Sequence, residues 1–219
     1  MNISRARTSL LPKALNELDI QPYIPVFEKM YTLARPPFLA MMNGLAGFLE
    51  NDEIFLEVGS FLGGSLIGTL LNNSVRAISI DNFSERPDSS LEILKANTAA
   101  FGVQDRIEFN EIDFHKYFKQ EHPGLKIGLY YYDGAHEEYN TRDGLELGFP
   151  FVVEDGLIVL DDLFYPDVVL GLNRFLGAHP FEVKILCAIS PAGELDDLWW
   201  NGTIVLQKKA VRLNWAVKG

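Results

Sequence analysis

Ile54-Phe55-Leu56-Glu57-Val58-Gly59-Ser60-Phe61-Leu62-Gly63-Gly64-Ser65 is the stretch that decides how this chain folds. Its first five residues form a short apolar run broken only by Glu57, the pattern of a strand buried on both faces. Gly59 follows at once and lets the backbone turn sharply and come close to a ligand. Gly63 and Gly64 open a helix expected over 63–71, whose first N–H groups lack partners within the helix and suit an anion. A turn serving only tight packing would use the same glycines. The spacing is neither G-x-G-x-x-G nor G-x-x-x-x-G-K-[ST], so the dinucleotide fingerprint and the P-loop are both absent.

Downstream, strands are expected over 75–80, 106–111, 127–132 and 156–160. Helices over 89–101, 114–120, 138–152 and 166–176 separate them, with Ser89 or Ser90 placed to cap the first. Strands alternating with helices predict an α/β fold with a Rossmann-like, doubly wound sheet. The last two strands, 181–188 and 202–208, have no helical pattern between them. Residues 190–200 hold Pro191, Gly193, Glu194, Asp196 and Asp197 instead, which predicts an antiparallel hairpin at the sheet edge and seven strands in all. The paired Trp199-Trp200 before the last strand suit either hairpin packing or the mouth of a pocket.

Upstream, residues 1–50 read as a helical cap. Leu10, Leu11, Ala14, Leu15 and Leu18 recur at helical spacing. Pro22 and Pro25 break that run, a second covers 26–33, Arg35-Pro36-Pro37 ends it, and a third covers 38–49. Residues 1–219 are thus expected to form one domain, with the cap at 1–50 and the α/β core at 51–219. The cap is placed either to cover an active site or to form a homodimer interface.

The chain has 219 residues, 47% of them apolar and 22% charged, values that exclude a disordered, collagenous or coiled-coil protein. Thirty acidic residues against nineteen Lys and Arg give a net charge of −11, which argues against nucleic acid and anionic membrane as partners. A single cysteine, Cys187, rules out an intrachain disulfide and fits a reducing compartment. Residues 1–13 lack the apolar core of a signal peptide. Residues 58–75 carry no charge but contain Ser60, Ser65, Thr69, Asn72, Asn73 and Ser74, too polar for a membrane span. These features predict a soluble, cytoplasmic protein.

In doubly wound sheets ligands bind at the carboxyl ends of the strands. Every central strand here ends near a carboxylate: Asp81, Asp113, Asp133 and the pair Asp161-Asp162. Asp81 follows Gly59 by 22 residues, a spacing that suits an acid binding ribose hydroxyls; a solvated turn would also hold it. Asp161-Asp162 could likewise cap the next helix.

With these residues in place, Leu56 to Ser65 resembles motif I of class I S-adenosylmethionine-dependent methyltransferases, most closely the catechol O-methyltransferase-like small-molecule O-methyltransferases. Gly102-Val103-Gln104-Asp105-Arg106-Ile107, Tyr132-Asp133-Gly134-Ala135-His136 and Ile158-Val159-Leu160-Asp161-Asp162 are similar to later family segments in the same order. The resemblance spans about residues 50–210. It implies cofactor contacts from Glu57, Gly59, Ser60, Phe61, Gly63, Ser65, Asp81, Asn82, Asp113, Phe114 and Asp133. Gly59 and Ser65 would hold the methionine part, Asp81 the ribose, and Asp113 with Phe114 the adenine. It also implies a divalent cation, Mg²⁺, on Asp133, Asp161 and Asp162, where the family has Asp, Asp and Asn.

His136 stands where the family carries a catalytic lysine, and neutral imidazole suits proton removal near pH 7. A structural histidine bonded to the Asp161 turn is the alternative. His115 follows Asp113 toward the expected adenine site, while His122 and His179 read as surface residues. The expected activity is methyl transfer to a hydroxyl of a small molecule. A metal-independent methyltransferase, a catalytically silent cofactor binder and a nicotinamide oxidoreductase are the alternatives.

Overall fold

The computed structural model describes residues 18–84, 89–189 and 201–209. A single 3-10 turn at Gln21–Tyr23 leads into α1 (Ile24–Lys29) and α2 (Pro36–Ala46). The alternating core follows: β1 (Ile54–Val58), α3 (Gly64–Leu70), β2 (Ala77–Asp81), α4 (Leu91–Ala100), β3 (Ile107–Glu111), α5 (Phe114–Phe118) and β4 (Ile127–Tyr132). Then come α6 (Glu138–Gly148), β5 (Val152–Leu160), α7 (Pro166–Ala178), β6 (Val183–Ile189) and β7 (Thr203–Lys208). Leu10, Leu11, Ala14, Leu15 and the Trp199-Trp200 pair lie outside the described residues.

One seven-stranded sheet runs in the order β3-β2-β1-β4-β5-β7-β6. Strands β1 to β5 pair with one another in parallel, and β7 is antiparallel to both β5 and β6. The expected closing hairpin is therefore present, with β7 inserted between β5 and β6. Burial explains the order: β7 is buried along Thr203 to Gln207, whereas β6 exposes Lys184, Ile185 and Ala188 and takes the edge.

The strand β5 begins four residues earlier than its apolar run suggests. A register shift against β4 between Ile127 and Leu129 accommodates the extra residues, with Asp155 at φ 62°. Pro150 stops α6 at Gly148, and Phe149–Phe151 continue as a 3-10 turn.

The sheet buries both faces. Tyr130 and Tyr132 project to the α6–α7 side, and Tyr131 projects to the α2–α3 side, the alternation that a strand imposes. Helix α6 rests directly on tyrosine rings: a Cβ at Gly144 or Gly148 would lie 2.0 Å from Tyr132 or 2.5 Å from Tyr130. The Tyr130 hydroxyl donates to the Gly144 carbonyl at 2.7 Å. On the other face α2 is more than a lid over the core. Met41, Met42 and Leu45 are fully buried, Phe38 packs on Tyr131, and Leu39 fills the space left by Gly68 of α3. Among the described residues no helix is long and apolar enough to cross a membrane.

Candidate active site

A cleft of about 370 Å³ opens at the carboxyl ends of β1, β2, β4 and β5, within the size range of small-ligand sites. Gly59 makes it possible. Its φ is +89°, and a Cβ there would lie 2.0 Å from the Asp133 carbonyl oxygen, so the β1 turn and the β4 turn touch backbone to backbone. Gly63 takes φ +90° and starts α3, while Phe61 is held at φ 47°. Asp81 stabilises that turn: its carboxylate accepts the Phe61 N–H at 2.7 Å and the Phe83 N–H at 2.7 Å. Two fixed amides leave the remaining lone pairs of Asp81 facing the cleft as acceptors for hydroxyls.

Of the residues implied to contact a cofactor, Gly59, Ser60, Phe61, Ser65, Asp81, Asn82, Asp113, Phe114 and Asp133 line this cleft. Glu57 and Gly63 do not line it. Glu57 is fully buried beneath the turn and accepts the Ser65 hydroxyl. Burial raises its carboxyl to about 8, against the lowering effect of the Ser65 and Ser60 hydroxyls. Its role is therefore to fix the turn from below. Asp113 also caps α5, accepting the Lys116 N–H at 3.2 Å.

At the far end stand the acids of β4 and β5. Asp162 follows β5 at φ 64° and does not cap α7, whose N-cap is Tyr165. Its Oδ2 lies 2.6 Å from His136 Nε2, and its Oδ1 accepts from Asn201 Nδ2 at 2.6 Å. Burial alone would raise Asp162, but the His136 and Asn201 bonds outweigh it and hold the carboxyl below its usual range. Asp162 is thus the acceptor and His136 Nε2–H the donor, so in a neutral imidazole the lone pair lies on Nδ1. The imidazole stacks on Tyr165 at 4.8 Å with 19° between planes.

Asp133 is raised well above the usual carboxylate range by burial and by Asp162 and Asp161 nearby. Asp161 is raised to about 6 by burial and by Asp162. The Tyr131 hydroxyl lies 3.0 Å from both Asp133 Oδ2 and Asp161 Oδ2. One hydroxyl proton can serve only one of them, so a proton on a carboxyl completes the pair, in agreement with the raised values.

The acids expected to hold a cation are only partly together. Asp133, Asp162 and His136 each offer a donor atom within 4.8 Å of the others. Asp161 is turned to Tyr131 and to Thr203, whose hydroxyl donates to Oδ1 at 2.6 Å, and it does not line the cleft. Two carboxylates and an imidazole fit a divalent cation. They fit the oxygen preference of Mg²⁺ only through the two aspartates.

Two further histidines differ from expectation. His179 is 17% exposed rather than a surface residue; it bridges Glu182 and Glu146 at 2.8 and 2.9 Å beside Phe149 and Phe175. His122 is half-buried, stacked on Tyr117 and 2.8 Å from the Tyr117 carbonyl oxygen. His115 stacks on Phe114 at 3.9 Å, beside the cleft wall.

Sequence reasoning missed Thr32, Leu33 and Ala34, which form a wall of the cleft ahead of α2. The signal was Gly64: a Cβ there would lie 1.9 Å from Thr32 Oγ1, so this glycine is small to admit the upstream segment. Asn140 and Glu137 also reach the cleft from the start of α6.

Known proteins resemble this chain in sequence and in fold. Residues 56–163 match a family model described as a methyltransferase domain. An uncharacterized protein, R132 of Acanthamoeba polyphaga mimivirus, is 25% identical over 173 residues, 71% of this chain and 77% of its own. The O-methyltransferase TomG from Streptomyces achromogenes, involved in tomaymycin synthesis and solved with S-adenosylmethionine, superposes with TM-score 0.62 at 16% identity, over 96% of this chain and all of its own. The O-methyltransferase from Bacillus cereus, solved with S-adenosylhomocysteine, gives 0.59 at 15% identity, over 95% and 91%. Cofactor-bound Rv0187 from MTB gives 0.63 at 17% identity, over 95% and 91%. The stretch that runs from the glycine turn through the acidic end of β5, residues 56–163, is thus similar to a methyltransferase domain, and the whole chain shares the fold of these solved structures.

Proposed function

We propose that the protein moves a methyl group from S-adenosylmethionine to a hydroxyl oxygen of a small molecule. The observation that carries this reading is the joining, in one cleft, of a ribose-type acceptor at Asp81 with a His136–Asp162 pair at the opposite end. The turn at Gly59 to Phe61 and Ser65 receives the methionine part. Phe114 lies beside the base, and the acidic walls favour a cofactor bearing a sulfonium cation.

The reaction is an in-line displacement. The acceptor oxygen attacks the methyl carbon, the carbon–sulfur bond breaks with its electrons going to sulfur, and the products are a methyl ether and S-adenosylhomocysteine. A neutral hydroxyl is a weak nucleophile, so its proton must leave as the bond forms. His136 Nδ1 takes it, and Asp162 stabilises the resulting imidazolium as the aspartate does in a hydrolase triad. Asp133 and Asp162 would hold a divalent cation, which when bound lowers the hydroxyl pKa and orients the oxygen. Asp161 keeps its bonds to Tyr131 and Thr203 and buttresses that edge.

Thermal unfolding with S-adenosylhomocysteine tests the cofactor. At about 100 times Kd the ligand adds roughly 2.7 kcal/mol and raises Tm by about 5–11 °C. A further rise with Mn²⁺ or Mg²⁺ that EDTA reverses supports the cation. Absence of any cofactor shift refutes the reading. A shift without transfer of labelled methyl to any hydroxyl compound favours a silent binder.

A further inference from the structure

We infer that Asn201, at the entrance to β7, is a positioning residue for the acid–base pair: its side-chain amide aims the Asp162 carboxylate at His136. This rests on the methyl-transfer reading above and extends it to a residue that does not itself line the cleft.

Two adjacent acids end β5, and the start of β7 holds them differently. The β5–β7 ladder is regular up to Leu160, which pairs with Ile204. Beyond that pair both chains bend, Asp162 at φ 64° and Gly202 at φ 84°. The bent segments stay joined: the Leu163 N–H donates to the Gly202 carbonyl at 3.1 Å, and the Phe164 N–H to the Asn201 carbonyl at 2.8 Å. Aspartate is among the few residues besides glycine that visit positive φ, and these two backbone bonds flank the bend that keeps it there. The bend sends the two carboxylates apart. Asp161 is tied to the Thr203 hydroxyl at 2.6 Å, while Asp162 receives Asn201 Nδ2 on Oδ1 at 2.6 Å and His136 Nε2 on Oδ2 at 2.6 Å.

A carboxylate turns about its last torsion unless both oxygens are tied. Asn201 ties Oδ1, and that leaves Oδ2 facing the imidazole. The amide must present its nitrogen, because its oxygen would meet a second acceptor. Asp162 is only 8% exposed, so little water reaches it to replace the amide. The His136 side chain is 41% exposed, with Tyr165 stacked on one face. Its hydrogen bond to the carboxylate sets which ring nitrogen carries the proton and which is left to accept one. Without Asn201 both members of the pair remain, but their mutual direction is lost.

Two substitutions test this. Asn201→Leu keeps much of the side-chain volume and removes the donor, and Asn201→Asp keeps the shape but sets an acceptor against an acceptor. Imidazole ¹⁵N NMR of the full chain in EDTA reads the pair directly. The parent is expected to show His136 as the Nε2–H tautomer, with that proton downfield and slow to exchange. Both variants are expected to lose the downfield proton and to mix the two tautomers. With saturating S-adenosylmethionine, kcat for methyl transfer is expected to fall at least about tenfold, while S-adenosylhomocysteine affinity stays within about twofold. In the Asp162→Asn background Asn201→Leu is expected to cost less than about twofold, because its effect passes through Asp162. Gly102→Ala, where nothing lies within 4 Å of the new methyl group, supplies the merely structural case: a lower Tm with the parental His136 spectrum. A parental His136 spectrum in the folded Asn201 variants overturns the inference, and so does a loss in kcat of equal size with and without the Asp162 carboxylate. A parent that transfers methyl to no hydroxyl compound refutes the methyl-transfer reading, while the spectra still decide whether Asn201 orients the pair.

Discussion

Gly59→Ala is the substitution whose outcome the structure determines most tightly. The new Cβ lies 2.0 Å from the Asp133 carbonyl oxygen, 2.5 Å from its carbon and 3.0 Å from the Gly134 nitrogen, all backbone atoms. None can swing aside as a side chain would, so the β1 and β4 turns must part. The φ of +89° adds strain of about 1–2 kcal/mol for an L-residue, and overpacking adds about 1–3 kcal/mol. Together they cost about 2–5 kcal/mol, which at about 2–4 °C per kcal/mol lowers Tm by about 4–20 °C. Gly102→Ala is the internal control, because Gly102 has φ +70° but nothing lies within 4 Å of the place its new methyl group would take. It keeps only the strain and lowers Tm by about 2–8 °C. The decisive assay is S-adenosylhomocysteine titration of both variants. Parting the two turns widens the cleft, so Gly59→Ala is expected to weaken binding by more than about tenfold, a loss above about 1.4 kcal/mol, while Gly102→Ala binds as the parent does. Near-parental affinity in Gly59→Ala, or equal losses in the two variants, refutes the argument that backbone contact at Gly59 shapes the site.

Asp81→Ala removes the acceptor of two backbone N–H groups and the proposed ribose contact; calorimetry is expected to show cofactor affinity lower by at least about thirtyfold, about 2 kcal/mol. His136→Gln and Asp162→Asn are each expected to cut methyl transfer by about 10²-fold or more at pH 7, with cofactor affinity little altered. A double variant should lose little beyond the worse single one, since the pair acts as a unit; additive losses would separate their roles. Glu57 predicts the pH dependence of stability. Burial raises its carboxyl from the ordinary value near 4.5 to about 8, so between those values the folded chain holds a proton the unfolded chain has released. Stability from this group is present below about pH 4.5 and falls as pH rises toward 8. Glu57→Gln is expected to flatten that fall in Tm; an unchanged slope would assign it to other groups.

Much of the site was legible because turn chemistry is local. Gly59 could be marked from sequence since a sharp turn after an apolar strand needs a residue tolerant of positive φ, and Asp81 could be marked by its distance along the chain. Local patterns could not say which acid faces which neighbour. Asp161 and Asp162 are adjacent in sequence, yet Asp162 turns to His136 through a positive φ while Asp161 turns to Tyr131 and Thr203. His179 looked like a surface residue beside a proline, and only the packing of α6, α7 and the start of β6 brings Glu146 and Glu182 to its two nitrogens.

The sequence alone determined the alternating parallel core, the tyrosine strand, the closing antiparallel pair and the carboxylates at the strand ends. Each follows from hydrophobic period, a breaker residue or a fixed offset, and all of these act within a few residues. The tertiary structure alone decided that β7 sits inside β6, that Thr32 to Ala34 wall the cleft, and that His136 joins Asp162 and Asp133 in place of Asp161. These are contacts between segments far apart in the chain, and they are selected by burial and by the pairing of buried charges, which no local pattern encodes.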